Sequence, residues 1–197
     1  MNKTSLQEPF DKFNVWFQQA CDNKKIVEPT AMCLSSIDEN NLPSSRMVLL
    51  KNFDARGFCF YTNLTSRKGQ NIIANPNVAL CFYWGVLGFQ VRIEGRVEPV
   101  STQEADEYFA SRRRESQIGA WASKQSSEMK NWQEFQDRIA DVTTKFANKE
   151  VTRPPFWSGF RVVPTKIELW QEGEFRVHTR DVYERYADGW DLKLIYP

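Results

Sequence analysis

Four short stretches of this 197-residue sequence set cations beside hydroxyls, amides or an imidazole, the side chains that hold phosphate esters. The first is Arg46-Met47-Val48-Leu49-Leu50-Lys51. On a flat strand its alternation puts Arg46 and Lys51 on opposite faces, so the two cations are set to serve different ligands. The second joins Tyr61-Thr62 to Ser66-Arg67-Lys68, where hydroxyls, two cations and a predicted helix N-terminus converge on space suited to a dianion. In the third, Tyr108, Arg112 and Ser116 recur every fourth residue and share one face of a continuous helix, with Ser123-Lys124-Gln125-Ser126-Ser127 following in a predicted loop. In the fourth, an extended chain from Trp170 onward alternates Arg176, His178 and Arg180 onto one face, where they repel one another unless an anion sits among them. Taken singly, each cluster also reads as a solvated surface, the third as a basic helix end answering its own dipole, and a lone histidine as structural.

The elements that must position these groups are short. Phe10, Phe13, Trp16 and Phe17 predict an amphipathic helix over 9–20, packed as a lid or flank. Strands are predicted at 30–37, 45–51 and 58–62, joined by turns at 38–41 and 54–57 into an antiparallel meander. A short helix opens at Ser66 and stops near Pro76, and strands follow at 78–84 and 89–97. In the latter, Val91, Ile93 and Val97 oppose Arg92, Glu94 and Arg96. Ser101-Thr102-Gln103-Glu104 is a capping box, and a charged helix covers 131–146. Strands at 160–163, 166–170, 182–186 and 192–195 complete a mainly β chain with flanking helices, an α+β protein built on a small antiparallel barrel. One domain is expected over 1–197, with 1–28 as the helical flank and 29–197 as the barrel.

Lys and Arg total 26 against 25 Asp and Glu, a formal charge of +1, so no global field draws the chain to nucleic acid or an anionic membrane. Arg112-Arg113-Arg114 is the only sustained basic run. Cys21, Cys33, Cys59 and Cys81 lack C-x-x-C spacing, and His178 is the one histidine, so free thiols are expected rather than disulfides or a metal centre. The polar start and the lack of any long apolar run predict a soluble cytoplasmic protein.

Taken together, Arg46-Met47-Val48-Leu49-Leu50-Lys51, Phe60-Tyr61-Thr62-Asn63 with Ser66-Arg67-Lys68, Ser116-Gln117-Ile118-Gly119-Ala120, Ser123-Lys124-Gln125-Ser126-Ser127 and Arg176-Val177-His178 closely resemble the pyridoxamine 5'-phosphate oxidase family, in the family's order, over 29–197. The resemblance implies a split antiparallel barrel that forms a homodimer, with FMN in clefts built from both subunits. It further implies oxidation of pyridoxamine or pyridoxine 5'-phosphate to pyridoxal 5'-phosphate, with dioxygen reduced to hydrogen peroxide. The implied FMN positions are the segment Arg46, Met47, Val48, Leu49, Leu50 and Lys51, then Tyr61, Thr62, Arg67, Lys68, Gln90, Gln125, Ser126, Trp170 and Arg180. Lys51, Tyr108, Arg112, Ser116, Arg176 and His178 match substrate positions, the first four on the substrate phosphate and the last two, the expected catalytic pair, over the pyridine ring, with Arg176 near the reacting carbon. The chain departs from the family pattern at Phe89, Ser158 and Thr179, where arginine, glycine and aspartate are usual, and in a short N-terminal segment. Lys51 favours the vitamin-B6 oxidases over the related phenazine-pathway oxidases, which often lack that lysine. The competing readings are a barrel that binds flavin or pyridoxal phosphate without turnover, and a flavin oxidase of phenazine-type substrates.

Overall fold

Period-two alternation builds most of the sheet. In strand β7 (Phe89–Pro99), Val91 and Ile93 are fully buried while Arg92, Glu94 and Arg96 are exposed, so one face enters the core and the other stays polar. A computed structural model describes residues 2–197. In chain order the elements before β7 are β1 (Asn2–Thr4), α1 (Glu8–Asp22), β2 (Ala31–Ile37), β3 (Pro43–Leu49), β4 (Asn52–Asp54), β5 (Gly57–Asn63), α2 (Arg67–Ala74) and β6 (Asn77–Trp84). After it come α3 (Thr102–Ser111), α4 (Arg114–Ala122), α5 (Trp132–Lys145), β8 (Trp157–Gln171), β9 (Thr179–Tyr186) and β10 (Gly189–Leu194).

All pairings are antiparallel, in the order β1-β10-β9-β8-β7-β6-β2-β3, with β5 joined to β8 and to β4. The expected strands at 160–163 and 166–170 are one 15-residue strand, β8. Its first half pairs with β5, from Trp157↔Asn63 to Val162↔Phe58, and its second half pairs with β9, from Lys166↔Glu184 to Gln171↔Thr179. Glu94 pairs with Lys166 and Gly95 with Pro164, so the register shifts past Thr165 of β8, a bulge that falls where β8 changes partners. Beyond β3, the Lys51 N–H donates to the Cys59 carbonyl at 2.9 Å, which brings the end of β3 against β5 and closes the barrel. This is a split barrel.

Helix α1 does more than flank it. Phe10 and Phe13 are at most 1% exposed; Phe10 stacks on Phe58, and Phe13 meets Phe53, Phe58 and Phe82 edge-on, so the helix supplies part of the main core. Trp16 stacks on Phe89 at 4.3 Å, which gives the unusual Phe89 a packing role. A second, smaller core joins Phe109, Ile118, Phe146, Val151 and Trp157 beneath helices α3 to α5.

The helix that starts at the Ser101 capping box does not continue to Ser116, so Tyr108, Arg112 and Ser116 do not share one helical face. Arg112 and Arg113 are both extended, with ψ of 149° and 142°, and α4 starts afresh at Arg114. The buried Gln117 side-chain amide donates to the Ala110 carbonyl and to the Phe109 carbonyl, which also accepts from the Arg112 N–H, so the end of α3 is capped across the break. The break turns the chain without losing those bonds.

Candidate functional site

Between the β3 end, β5 and helices α3 and α4 lies a cavity of about 630 Å³. Met47, Val48, Leu49, Lys51, Tyr61, Thr62, Lys68, Tyr108, Arg112, Ser116 and Gln125 all line it, so three of the four sequence clusters meet in one place. No carboxylate lines it. Among the described residues, Arg46, Lys51, Arg67, Lys68, Arg112 and Arg113 form no ion pair, while Arg56, Arg92, Arg153, Arg161 and Arg180 all do. A cavity that gathers cations and excludes their counter-charges is built for anions.

At one end, the Lys68 ammonium donates to the Thr62 hydroxyl at 3.2 Å and to Gln125 Oε1 at 2.9 Å, and the Thr62 hydroxyl donates to the same Gln125 oxygen. Burial, and then the nearby Arg46, hold the Lys68 pKa below its ordinary value. Arg46 lies outside the cavity wall, its guanidinium donating to the Leu34 carbonyl and to the Ser36 and Ser44 hydroxyls; burial and then Arg67 lower its pKa. Ser66 caps α2 by accepting from the Gly69 N–H, which places Arg67 and Lys68 in the first helical turn. Neutral acceptors and crowded cations leave this end short of negative charge.

At the other end an aromatic stack carries the cation. Tyr61 stacks on Tyr108 at 4.0 Å and on Trp157 at 5.4 Å, and the Arg112 guanidinium lies 4.9 Å from the Trp157 ring centroid. Gly159 makes this stack possible, because a Cβ there would stand 2.5 Å from the Tyr61 ring. Burial raises the Tyr108 pKa, pushes Tyr61 up to about 12 and lowers Arg112. Arg112 Nη1 is buried with no hydrogen-bond partner. An unmet donor on a half-buried cation is costly unless a ligand oxygen completes it.

Other expected positions fall elsewhere. Leu50 is 3% exposed and belongs to the barrel core. Gln90, Trp170 and Arg180 form a row across β7, β8 and β9, with Gln90 opposite Trp170 and Trp170 opposite Arg180. Arg180 is tied to the buried Glu168 at 2.7 Å and to the Tyr196 carbonyl. Ser126 adopts a left-handed φ of 72° beside Gln125, and it lines a neighbouring groove under α5.

The alternating face of Arg176, His178 and Arg180 does not form. Residues 174–176 make a 3-10 turn in which Phe175 and Arg176 take φ of 53° and 65°, and β9 begins only at Thr179. The chain must reverse between β8 and β9, and the Gly173 N–H donates to His178 Nδ1 at 3.2 Å to close that loop. The bond leaves the ring proton of neutral His178 on Nε2. The imidazole packs on Trp170 at 4.6 Å, and the Arg176 side chain is exposed.

Trp157, which belongs to none of the four clusters, also lines the cavity, together with Arg113, Asn63, Gly119, Ala120 and Ser123. Trp157 had one usable signal, an aromatic directly preceding the Ser158-Gly159 pair. Of the basic run, Arg114 leaves the site altogether and donates to the Phe146 and Lys149 carbonyls beyond α5.

Fold and cavity together define a split-barrel protein with a cation-lined cavity held between its sheet and its inserted helices. The family profile for pyridoxamine 5'-phosphate oxidase matches residues 22–146, and that for the pyridoxine 5'-phosphate oxidase C-terminal dimerisation region matches residues 157–197. The chain belongs to the pyridoxamine 5'-phosphate oxidase family. It is 50% identical over 190 residues to a pyridoxine/pyridoxamine 5'-phosphate oxidase of Myxococcus xanthus, covering 96% of this chain and 92% of the relative. It is 49% identical to the enzyme so named from Caulobacter vibrioides, covering 98% and 86%. The crystal structure of PhzG from Burkholderia lata, in complex with tetrahydrophenazine-1-carboxylic acid, superimposes with a TM-score of 0.90 at 28% identity, covering 96% and 92%. No helix among the described residues is long and apolar enough to cross a membrane.

Proposed function

We propose that this chain is a cytoplasmic, FMN-dependent oxidase that converts pyridoxamine 5'-phosphate and pyridoxine 5'-phosphate to pyridoxal 5'-phosphate. The alcohol reacts with dioxygen to give aldehyde and hydrogen peroxide; the amine consumes one water as well and releases ammonia. The observation that carries this reading is the partnerless Nη1 of Arg112 in a cavity whose other cations also lack carboxylate partners. Two phosphate esters, one on the cofactor and one on the substrate, answer both ends of that cavity.

In this reading Arg46, Arg67, Lys68, Thr62, Gln125 and Ser126 hold the FMN phosphate, and Met47, Val48 and Leu49 run beside the cofactor. The chemistry that bound flavin supplies is acceptance of a hydride from C4' of the substrate and return of both electrons to dioxygen. Lys51, Tyr108, Arg112 and Ser116 anchor the substrate phosphate, so that binding energy remote from C4' fixes the reacting carbon in place. Gln90, Trp170 and Arg180 serve the cofactor, and Arg176 and His178 the substrate ring, each set reaching a cavity of the second subunit in a homodimer. Arg176 stabilises charge at the reacting carbon. The family's C-terminal dimerisation region, which contains Arg176, His178 and Arg180, supports this arrangement.

The vitamin-B6 substrates are favoured over a phenazine precursor by the named relatives near 50% identity, against 28% for PhzG, and by Lys51 in the cavity wall. An aerobic assay of the FMN-loaded protein with both vitamers tests the proposal. Oxygen uptake matched by pyridoxal 5'-phosphate is expected; flavin binding without oxygen uptake would leave a non-catalytic carrier.

A further inference from the structure

Arg161 is the one buried arginine among the described residues, 6% exposed, and it does not line the cavity. Set in β8 opposite Cys59 of β5, it donates from Nη2 to Glu104 Oε1 at 2.6 Å and reaches Asp54 Oδ1 from Nη1 at 3.5 Å. Glu104 divides its carboxylate between two tasks. Its Oε2 accepts from the Ser101 N–H to complete the capping box of α3, which leaves Oε1 for Arg161 and, at the longer 3.7 Å, for the exposed Arg56. The Glu104 carbonyl accepts from the Tyr61 hydroxyl at 3.4 Å.

Glu104 and Tyr108 lie four apart, on the face of α3 turned toward the barrel and the aromatic stack, and Arg112 follows directly after the last helical residue, Ser111. The helix is pinned a second time, where Arg153 binds Asp106 at 2.6 Å and the Trp157 carbonyl at 2.7 Å. With that second pin in place, and with Gln117 holding the Phe109 and Ala110 carbonyls, loss of the first shifts the start of α3 rather than detaching the helix. Tyr108 stands about one turn along from Glu104, so such a shift is carried to the phosphate clamp.

We infer that Arg161 is a positioning residue: through Glu104 it sets the angle of α3, and with it the affinity of the Tyr108–Arg112 clamp for the phosphate of the substrate. The inference rests on the proposed role of that clamp. Arg161 touches neither ligand.

The test compares full-length, FMN-loaded wild type with Arg161→Met, Arg161→Lys, Glu104→Gln and Ser101→Ala. Each is measured for KM and kcat with pyridoxine 5'-phosphate, equilibrium Kd for pyridoxal 5'-phosphate, FMN Kd and Tm. Arg161→Met should raise KM and the pyridoxal 5'-phosphate Kd roughly tenfold, leaving kcat and FMN Kd within about twofold. Arg161→Lys should recover part of the loss. Glu104→Gln keeps the cap but weakens the pair, and should move both constants in the same direction. Ser101→Ala removes the side-chain cap and the hydroxyl bond to Glu104 Oε2 but leaves Oε1 with Arg161, and should lower Tm without moving them. Unchanged affinities in both Arg161→Met and Glu104→Gln would overturn the inference, and Glu104→Gln decides it if Arg161→Met does not fold. The Kd comparison holds even if wild type shows no turnover, a result that would defeat only the oxidase reading.

Discussion

The Arg112 guanidinium carbon sits 4.9 Å from the Trp157 ring centroid and 5.6 Å from that of Phe109, with Nη1 buried and without a partner. The two rings hold the cation in place, and the open nitrogen gives it something to bind. Replacing Arg112 with Ala should raise KM for pyridoxine 5'-phosphate about 10- to 100-fold, the size of a charge-assisted hydrogen bond of roughly 1.5–3 kcal/mol, and leave FMN Kd nearly unchanged. Lys at this position should restore little, because an ammonium neither stacks nor forks. A rise in FMN Kd instead would place Arg112 in the cofactor site.

Lys68 should show the opposite split. It binds Thr62 and Gln125 at the far end of the cavity, so Lys68→Met should weaken FMN about tenfold, seen by titration of flavin fluorescence, with KM for substrate little changed at saturating FMN. Lys51→Met should mirror Arg112→Ala.

Gly119 separates stability from fit. It lies in α4, lines the cavity, and a Cβ there would meet no atom within 4 Å. Gly119→Ala should raise stability by up to about 1 kcal/mol, through helix propensity. Gly119→Leu should keep the fold, by circular dichroism, and raise KM by narrowing the cavity.

Glu104 predicts a pH dependence. The Ser101 N–H bond, with help from Arg161 and Arg56 and against burial, holds its pKa below the ordinary 4.5. The folded state therefore binds this proton less readily than the unfolded chain. Its stabilising effect is fully present above pH 4.5 and is lost as pH falls through the depressed folded value. Glu104→Gln should flatten the decline of Tm in that acid window, and an unchanged slope below pH 4.5 would refute the assignment.

Phe175, at 92% exposure, and Tyr196, at 94%, are costly to leave in water and suit burial against a second copy. In sedimentation, the wild type should run as a dimer. Phe175→Asp should shift it toward monomer and weaken FMN retention together; FMN affinity unchanged in a monomer would show that one chain suffices.

Local chemistry, repeated along the chain, determined the elements. Alternation marked β7 and its buried face, the Ser101-to-Glu104 spacing marked the capping box, and Phe10 and Phe13 marked α1, because each signal spans only a few residues of backbone geometry. Residue types also placed cations, phenol and hydroxyls in the third cluster. What only folding decided was which of them meet. The break at Arg112 and Arg113 could not be read from spacing, since Gln117 completes the end of α3 through tertiary hydrogen bonds. The fourth cluster was divided by the reversal from β8 to β9, which puts Arg176 in an exposed turn and sends Arg180 to Glu168. Periodicity fixes a side chain's direction from its own strand or helix; whether a cation there is answered by a carboxylate depends on strands far apart in sequence. Here Arg161 and Arg180 found carboxylates, and Arg112 and Lys68 were left open to the cavity.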